Sequence, residues 1–174
     1  ASSNAFTNYT NTTYLFSATS YFKENLQLLL EYVETPYFTE PSVEKEKGII
    51  AQELRMYEDE PEWQVLLNLL KCLYHEHPVR IDIGGTVESI QKINVDTLYK
   101  CYNTFYHPSN MILFVIGCIE PEQVFELVEK NESAKGLVPQ GDIKRIYPEE
   151  PLTINESTHT THLDVIEPLF LMGF

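Results

Sequence analysis

Residues Pro41 to Pro61, PSVEKEKGIIAQELRMYEDEP, form one helical pattern that carries two acids where the pattern asks for apolar side chains. At about 100° per residue, Glu53 falls within about 20° of Glu46, since seven residues are nearly two turns. Ile49, Ile50, Leu54, Met56 and Tyr57 spread to either side of the pair, within about 80°. Lys47, Gly48, Ala51, Gln52 and Arg55 occupy the other arc. The pattern predicts that the apolar arc faces a core with Glu46 and Glu53 at its centre, where unpaired carboxylates cost roughly several kcal/mol. Something cationic has to meet them there, either an Arg or Lys from another element or a metal ion.

With 174 residues, 43% of them hydrophobic, the chain is long enough for one core and the start of a second lobe. No apolar run reaches the length of a membrane span, the longest being Met111 to Ile119, interrupted by Gly117. A net charge of -14 predicts repulsion from phosphate backbones, which excludes nucleic acid and leaves neutral or basic polypeptides as partners. Cys72, Cys101 and Cys118 are odd in number, lie on apolar stretches and lack CxxC spacing, so reduced core thiols and a cytoplasmic location are expected. The chain opens at Ala1 with neither an initiator Met nor a signal-peptide pattern, and is expected to begin mid-domain.

Asn4 to Ser17, rich in Thr, Tyr and Phe, predicts two short strands joined by a turn near Asn8 to Asn11. Leu26, Leu29, Leu30 and Val33 then follow helical spacing up to Pro36. Ser42 is the expected N-cap of the helix that carries Glu46 and Glu53. Further helices are predicted over Glu62 to Tyr74, Val87 to Ile93, Asp96 to Tyr106 and Pro121 to Lys130, with an exposed loop from His75 punctuated by Pro78, Gly84 and Gly85. MILFVIGC, from Met111 to Cys118, has the length and composition of a buried central strand. The Pro- and Gly-containing stretch 132–157 is expected to be a linker, and 158–174 to hold two strand segments that open a following domain.

Among candidate ligands, His75 and His77 flank Glu76, but on a helix their spacing points them about 200° apart, which favours capping or surface roles. His107 precedes Pro108 and takes the same reading, and His159 and His162 lie in the tail. No GxSxG, GxxxxGK or CxxC occurs, so serine hydrolase, nucleotide and zinc-ribbon chemistries lack a motif.

The strands NAFT and TTYLFS, the helix EKEKGIIAQELRMYEDEPEW, the loop EHPVRIDIGGTVESI and the segment YHPSNMILFVIG occur in an order that resembles the pitrilysin/insulinase family of inverted-zincin metallopeptidases, and within it the YmfH-like bacterial members. The resemblance implies an α+β fold, an antiparallel-rich sheet covered by helices as in one lobe of such a peptidase. It also implies Zn2+ in the intact protein, with peptide hydrolysis as the activity. In the family an H-x-x-E-H helix supplies two His ligands and the general base, and a distal helix supplies a third ligand, a Glu. That ligand maps onto Glu53, and a supporting family Glu seven residues earlier maps onto Glu46. The NAFT match implies that Asn4, Ala5, Phe6 and Thr7 form an edge strand that takes a peptide or unfolded polypeptide substrate by strand addition.

H-x-x-E-H does not occur in these residues, so 1–131 is expected to be a portion of a catalytic lobe, inactive alone. The alternative is a non-catalytic member that assists a homologous partner subunit.

Overall fold

The computed structural model describes residues 1–136, 138 and 140–174. The fold is α+β, and its described elements run β1 (Ser2–Thr7), β2 (Thr12–Ser17), α1 (Phe22–Glu34), α2 (Glu40–Glu58), α3 (Pro61–Leu73), α4 (Val87–Gln91), α5 (Val95–Phe105) and α6 (Pro121–Lys135). Tertiary contacts divide the chain into two units, Ala1–Phe38 with Val95–Lys144, and Thr39–Asn94 with Arg145–Phe174.

In the first unit β1 and β2 pair antiparallel, from Ser2 opposite Ser17 to Thr7 opposite Thr12. The Asn8 carboxamide closes the turn by accepting N–H bonds from Thr10 and Asn11 at 2.8 and 2.9 Å, which is the local bonding that makes Asn a turn residue. The sheet has two strands, so each has one bonded neighbour among the described residues. Tyr14 on β2 meets Tyr106 hydroxyl to hydroxyl at 2.8 Å, and burial with that bond pushes its pKa well up. The Tyr102 hydroxyl donates to the Val33 carbonyl at 2.9 Å and ties α5 to α1. Between α1 and α6, buried Asn131 donates to Glu34 at 2.9 Å, and Lys135 pairs with the same carboxylate.

The second unit is built on α2, α3 and α4, with Ala51, Leu54 and Ile90 at the core and Ile50, Val87 and Ile93 packed against them. Its tail lies along α3, where Asn155 and Glu156 donate to the Cys72 carbonyl at 2.8 and 3.0 Å. Glu150 reaches the loop after α3 and accepts the N–H groups of His75, Glu76 and His77.

Five expectations give way. The cap of α2 is Thr39, which accepts from Ser42 N while Ser42 bonds back to the cap, a reciprocal box that begins three residues before the expected Ser42. Met111 to Cys118 forms no strand, and Ile112, Phe114 and Ile116 are 95%, 81% and 87% exposed, because a buried strand needs neighbours on both edges and the only two strands described pair with each other. Residues 158–174 likewise hold no strand, and α6 continues to Lys135, into the stretch expected to be linker. Cys101 and Cys118 are exposed and only Cys72 is half-buried, so the thiols are free but are not core residues.

Candidate functional site

Helix α2 buries Val43, Lys47, Ala51 and Leu54, an arc centred roughly 90° from Glu46. Glu46 and Glu53 are both exposed, which corrects the expectation that they sit at the centre of the packed face. The two outcomes differ in cost. Burying two unpaired carboxylates costs roughly several kcal/mol each. Leaving Ile49 48% exposed and Met56 72% exposed forfeits only part of the roughly 1.5–3 kcal/mol available from burying each. Val87 and Ile90 of α4, with Ile93 just after it, supply the apolar side chains on the Ala51 and Leu54 side, and no salt bridge reaches Glu46 or Glu53 among the described residues. The cation that is buried, Lys47, is used up by Glu44 at 2.6 Å and the Gln91 carbonyl at 3.4 Å.

The uncovered face of α2 is therefore a stripe of Glu46, Ile49, Glu53 and Met56, acid and apolar residues in alternation. Beside it, Tyr57 lies one turn beyond Glu53 and its hydroxyl donates to Glu53 Oε1 at 3.4 Å. The Tyr57 ring packs on Trp63 of α3 with centroids 5.9 Å apart, and Trp63 Nε1 donates to Asp82 Oδ2 at 2.8 Å. Sequence reasoning placed Tyr57 on this face without finding these bonds. The available signal was the i, i+4 spacing from Glu53, which sets the two side chains on neighbouring turns.

As a carboxylate on a regular helix, Glu53 fits one position of a zinc site, since a carboxylate oxygen is an ordinary zinc donor and one hydroxyl bond leaves it acceptor capacity to spare. Among the described residues no group of three His, Cys, Asp or Glu side chains is placed to hold a metal, so Glu53 is a single donor here. The histidines are engaged structurally. His77 Nδ1 accepts from Val79 N at 3.2 Å and its ring stacks on Tyr147, His75 Nε2 meets the Thr153 carbonyl at 3.0 Å, and His107 Nδ1 accepts from Ser109 N at 3.2 Å. His159 lies 3.5 Å from Glu156.

Asn4, Ala5, Phe6 and Thr7 are all exposed on β1, opposite Leu15, Tyr14, Thr13 and Thr12. The far edge of β1 carries no partner strand among the described residues. Asn4 Oδ1 accepts the Ala5 N–H at 2.9 Å, and the Thr7 and Thr12 hydroxyls meet at 3.1 Å across the ladder.

Residues 1–87 match the family described as insulinase (peptidase family M16), and residues 92–172 match the peptidase M16 inactive domain. The chain belongs to peptidase family M16. It is 49% identical over 173 residues to the zinc protease YmfH of Bacillus subtilis, covering 99% of this chain and 40% of that protein. It is 27% identical over 165 residues to the zinc protease PqqE of Helicobacter pylori, covering 93% of this chain and 37% of the relative. The fold is similar to that of an M16-like peptidase from Alicyclobacillus acidocaldarius, with a TM-score of 0.85 and 44% identity over 89% of this chain and 37% of that one. A Helicobacter pylori protease shares the fold at a TM-score of 0.78 and 24% identity, over 86% of this chain and 36% of that one. The chain thus spans about 40% of the length of the first of these relatives. Among the described residues no helix is long and apolar enough to cross a membrane.

Proposed function

We propose that these residues form part of a zinc-dependent M16 peptidase, in which Glu53 is one protein ligand of the metal and Glu46 supports the site from one pair of turns away. The observation that carries this reading is the uncovered stripe of α2 in a chain 49% identical to a zinc protease, with both acids projecting away from the packed arc of Val43, Lys47, Ala51 and Leu54. A carboxylate held on a rigid helix, outside the core, keeps the charge and the freedom of approach that a metal ligand needs. Zinc bound by Glu53 and two ligands outside these residues would serve as a Lewis acid in peptide hydrolysis.

The unpaired edge of β1 supports a substrate reading for Asn4 to Thr7, since exposed N–H and C=O groups accept an extended peptide as a further strand. In this reading 1–131 belongs to the catalytic lobe, the part of 132–157 that follows α6 is the linker and 158–174 opens the next domain, and the free thiols suit the cytoplasm. The description of the 92–172 match as an inactive domain favours a second reading, a non-catalytic subunit that assists a homologous partner.

Glu53→Gln in the full-length protein separates the two. A ligand role predicts loss of stoichiometric zinc and of peptide hydrolysis with the fold retained. Wild-type zinc content in that variant removes Glu53 from the ligand set, and a full-length wild-type protein with neither stoichiometric zinc nor hydrolysis leaves the assisting role.

A further inference from the structure

A carboxylate can swing about its last torsion, and a metal ligand has to be aimed. On α2 the group beside Glu53 that does this is Tyr57, whose hydroxyl donates to Oε1 at 3.4 Å and so favours presentation of the other oxygen. Tyr57 is itself held. Its ring lies against Trp63, its carbonyl accepts from Gln64 Nε2 at 3.0 Å, and the Asp59 and Glu60 N–H groups bond back to the last turn of α2. Trp63 in turn is fixed by Asp82, whose other oxygen accepts the Gly84 N–H at 2.9 Å. Gly84 is pressed against the residue next to Glu53, since a Cβ there would lie 2.7 Å from Leu54 Cδ2. The loop after α3 therefore braces the end of α2 at two points, through Asp82 to Trp63 and through Gly84 to Leu54.

We propose that Tyr57 is a positioning residue for the Glu53 carboxylate, and that Trp63 and Asp82 hold Tyr57 in place for that purpose. The inference rests on the reading of Glu53 as a zinc ligand. Partners that orient a metal ligand are worth about 10 to 100-fold in metal affinity, and a single long hydrogen bond belongs at the low end of that range.

The test uses the full-length protein, with zinc affinity read by competition with a chromophoric chelator and folding read by thermal melting of the metal-free form. Tyr57→Phe keeps the ring on Trp63 and removes only the hydroxyl, so the melting temperature should hold while zinc binds about tenfold more weakly. Asp82→Asn, which weakens the brace on Trp63, should give a smaller loss in the same direction. A residue that merely packs would leave zinc affinity untouched in Tyr57→Phe. If Glu53→Gln loses zinc while Tyr57→Phe binds it like wild type, the positioning role is overturned and the ligand role of Glu53 survives. If Glu53→Gln itself binds zinc normally, both are overturned. Should Tyr57→Phe fail to fold, wild-type zinc affinity in Asp82→Asn overturns the brace and with it the proposal.

Discussion

Glu150 holds three consecutive backbone N–H groups, of His75, Glu76 and His77, and ties the tail to the loop after α3. Desolvation pushes its pKa up, but the three N–H donors outweigh this and hold the carboxyl below its ordinary value of 4.5. A lowered folded pKa stabilises above the unfolded value, so the attachment is fully present above pH 4.5 and is lost as pH falls through the folded pKa. Protection of the Glu76 and His77 amides, taken relative to their intrinsic exchange rates at each pH, should therefore fall below that pH in the native chain, and be low and nearly independent of pH in Glu150→Gln. Slow exchange in the variant at neutral pH would show that other contacts hold the tail. Glu46 calls for a different measurement. In the full-length protein Glu46→Gln should lower zinc affinity or activity by about 10 to 100-fold, the range for groups that act through a ligand, and an unchanged enzyme would make it an ordinary surface acid. The spacing of Glu46 and Glu53 on one face was legible in the sequence. The contacts of Glu150 were not, because a residue 75 positions from His75 leaves no local pattern.

At the scale of elements, α2 shows how far periodicity reaches. Its existence and length are written in the run from Pro41 to Pro61, but the apolar residues there surround most of the helix, so the pattern admits more than one packed arc. The choice fell to α4, which presents Val87 and Ile90 toward Ala51 and Leu54. Its start depends on Thr39, and Thr39→Ala should cost about 1 kcal/mol in denaturant unfolding, with Ser42→Ala comparable because the two bonds form one box. A neutral Thr39→Ala would mean that water replaces the cap without loss. The edge of β1 has its own test. A structure of the full-length protein with a bound peptide should show the peptide added alongside Asn4 to Thr7, and an edge already occupied by the protein's own chain would end that reading.

For the whole molecule, the relation to longer relatives sets the expected behaviour. Catalytic zinc needs three protein ligands and an open position, and Glu53 is a single donor among the described residues. The 174-residue chain, purified alone, should bind no stoichiometric zinc and cleave no peptide when zinc is added. Metal analysis and a peptidase assay check this, and zinc retained with hydrolysis would turn attention back to His75 and His77. What the sequence determined by itself was local and periodic: the hairpin from its Thr, Tyr and Phe content and Asn-rich turn chemistry, α1 to α6 from apolar spacing and proline boundaries, and the family from the order of its motifs. What only the tertiary structure decided was which faces are covered. Met111 to Cys118 reads as a buried strand and lies exposed, and Glu46 and Glu53 read as inward and point out. The reason is the same in both. Burial is a property of what stands opposite, and an apolar run or an amphipathic arc specifies its own chemistry but not the neighbour that meets it.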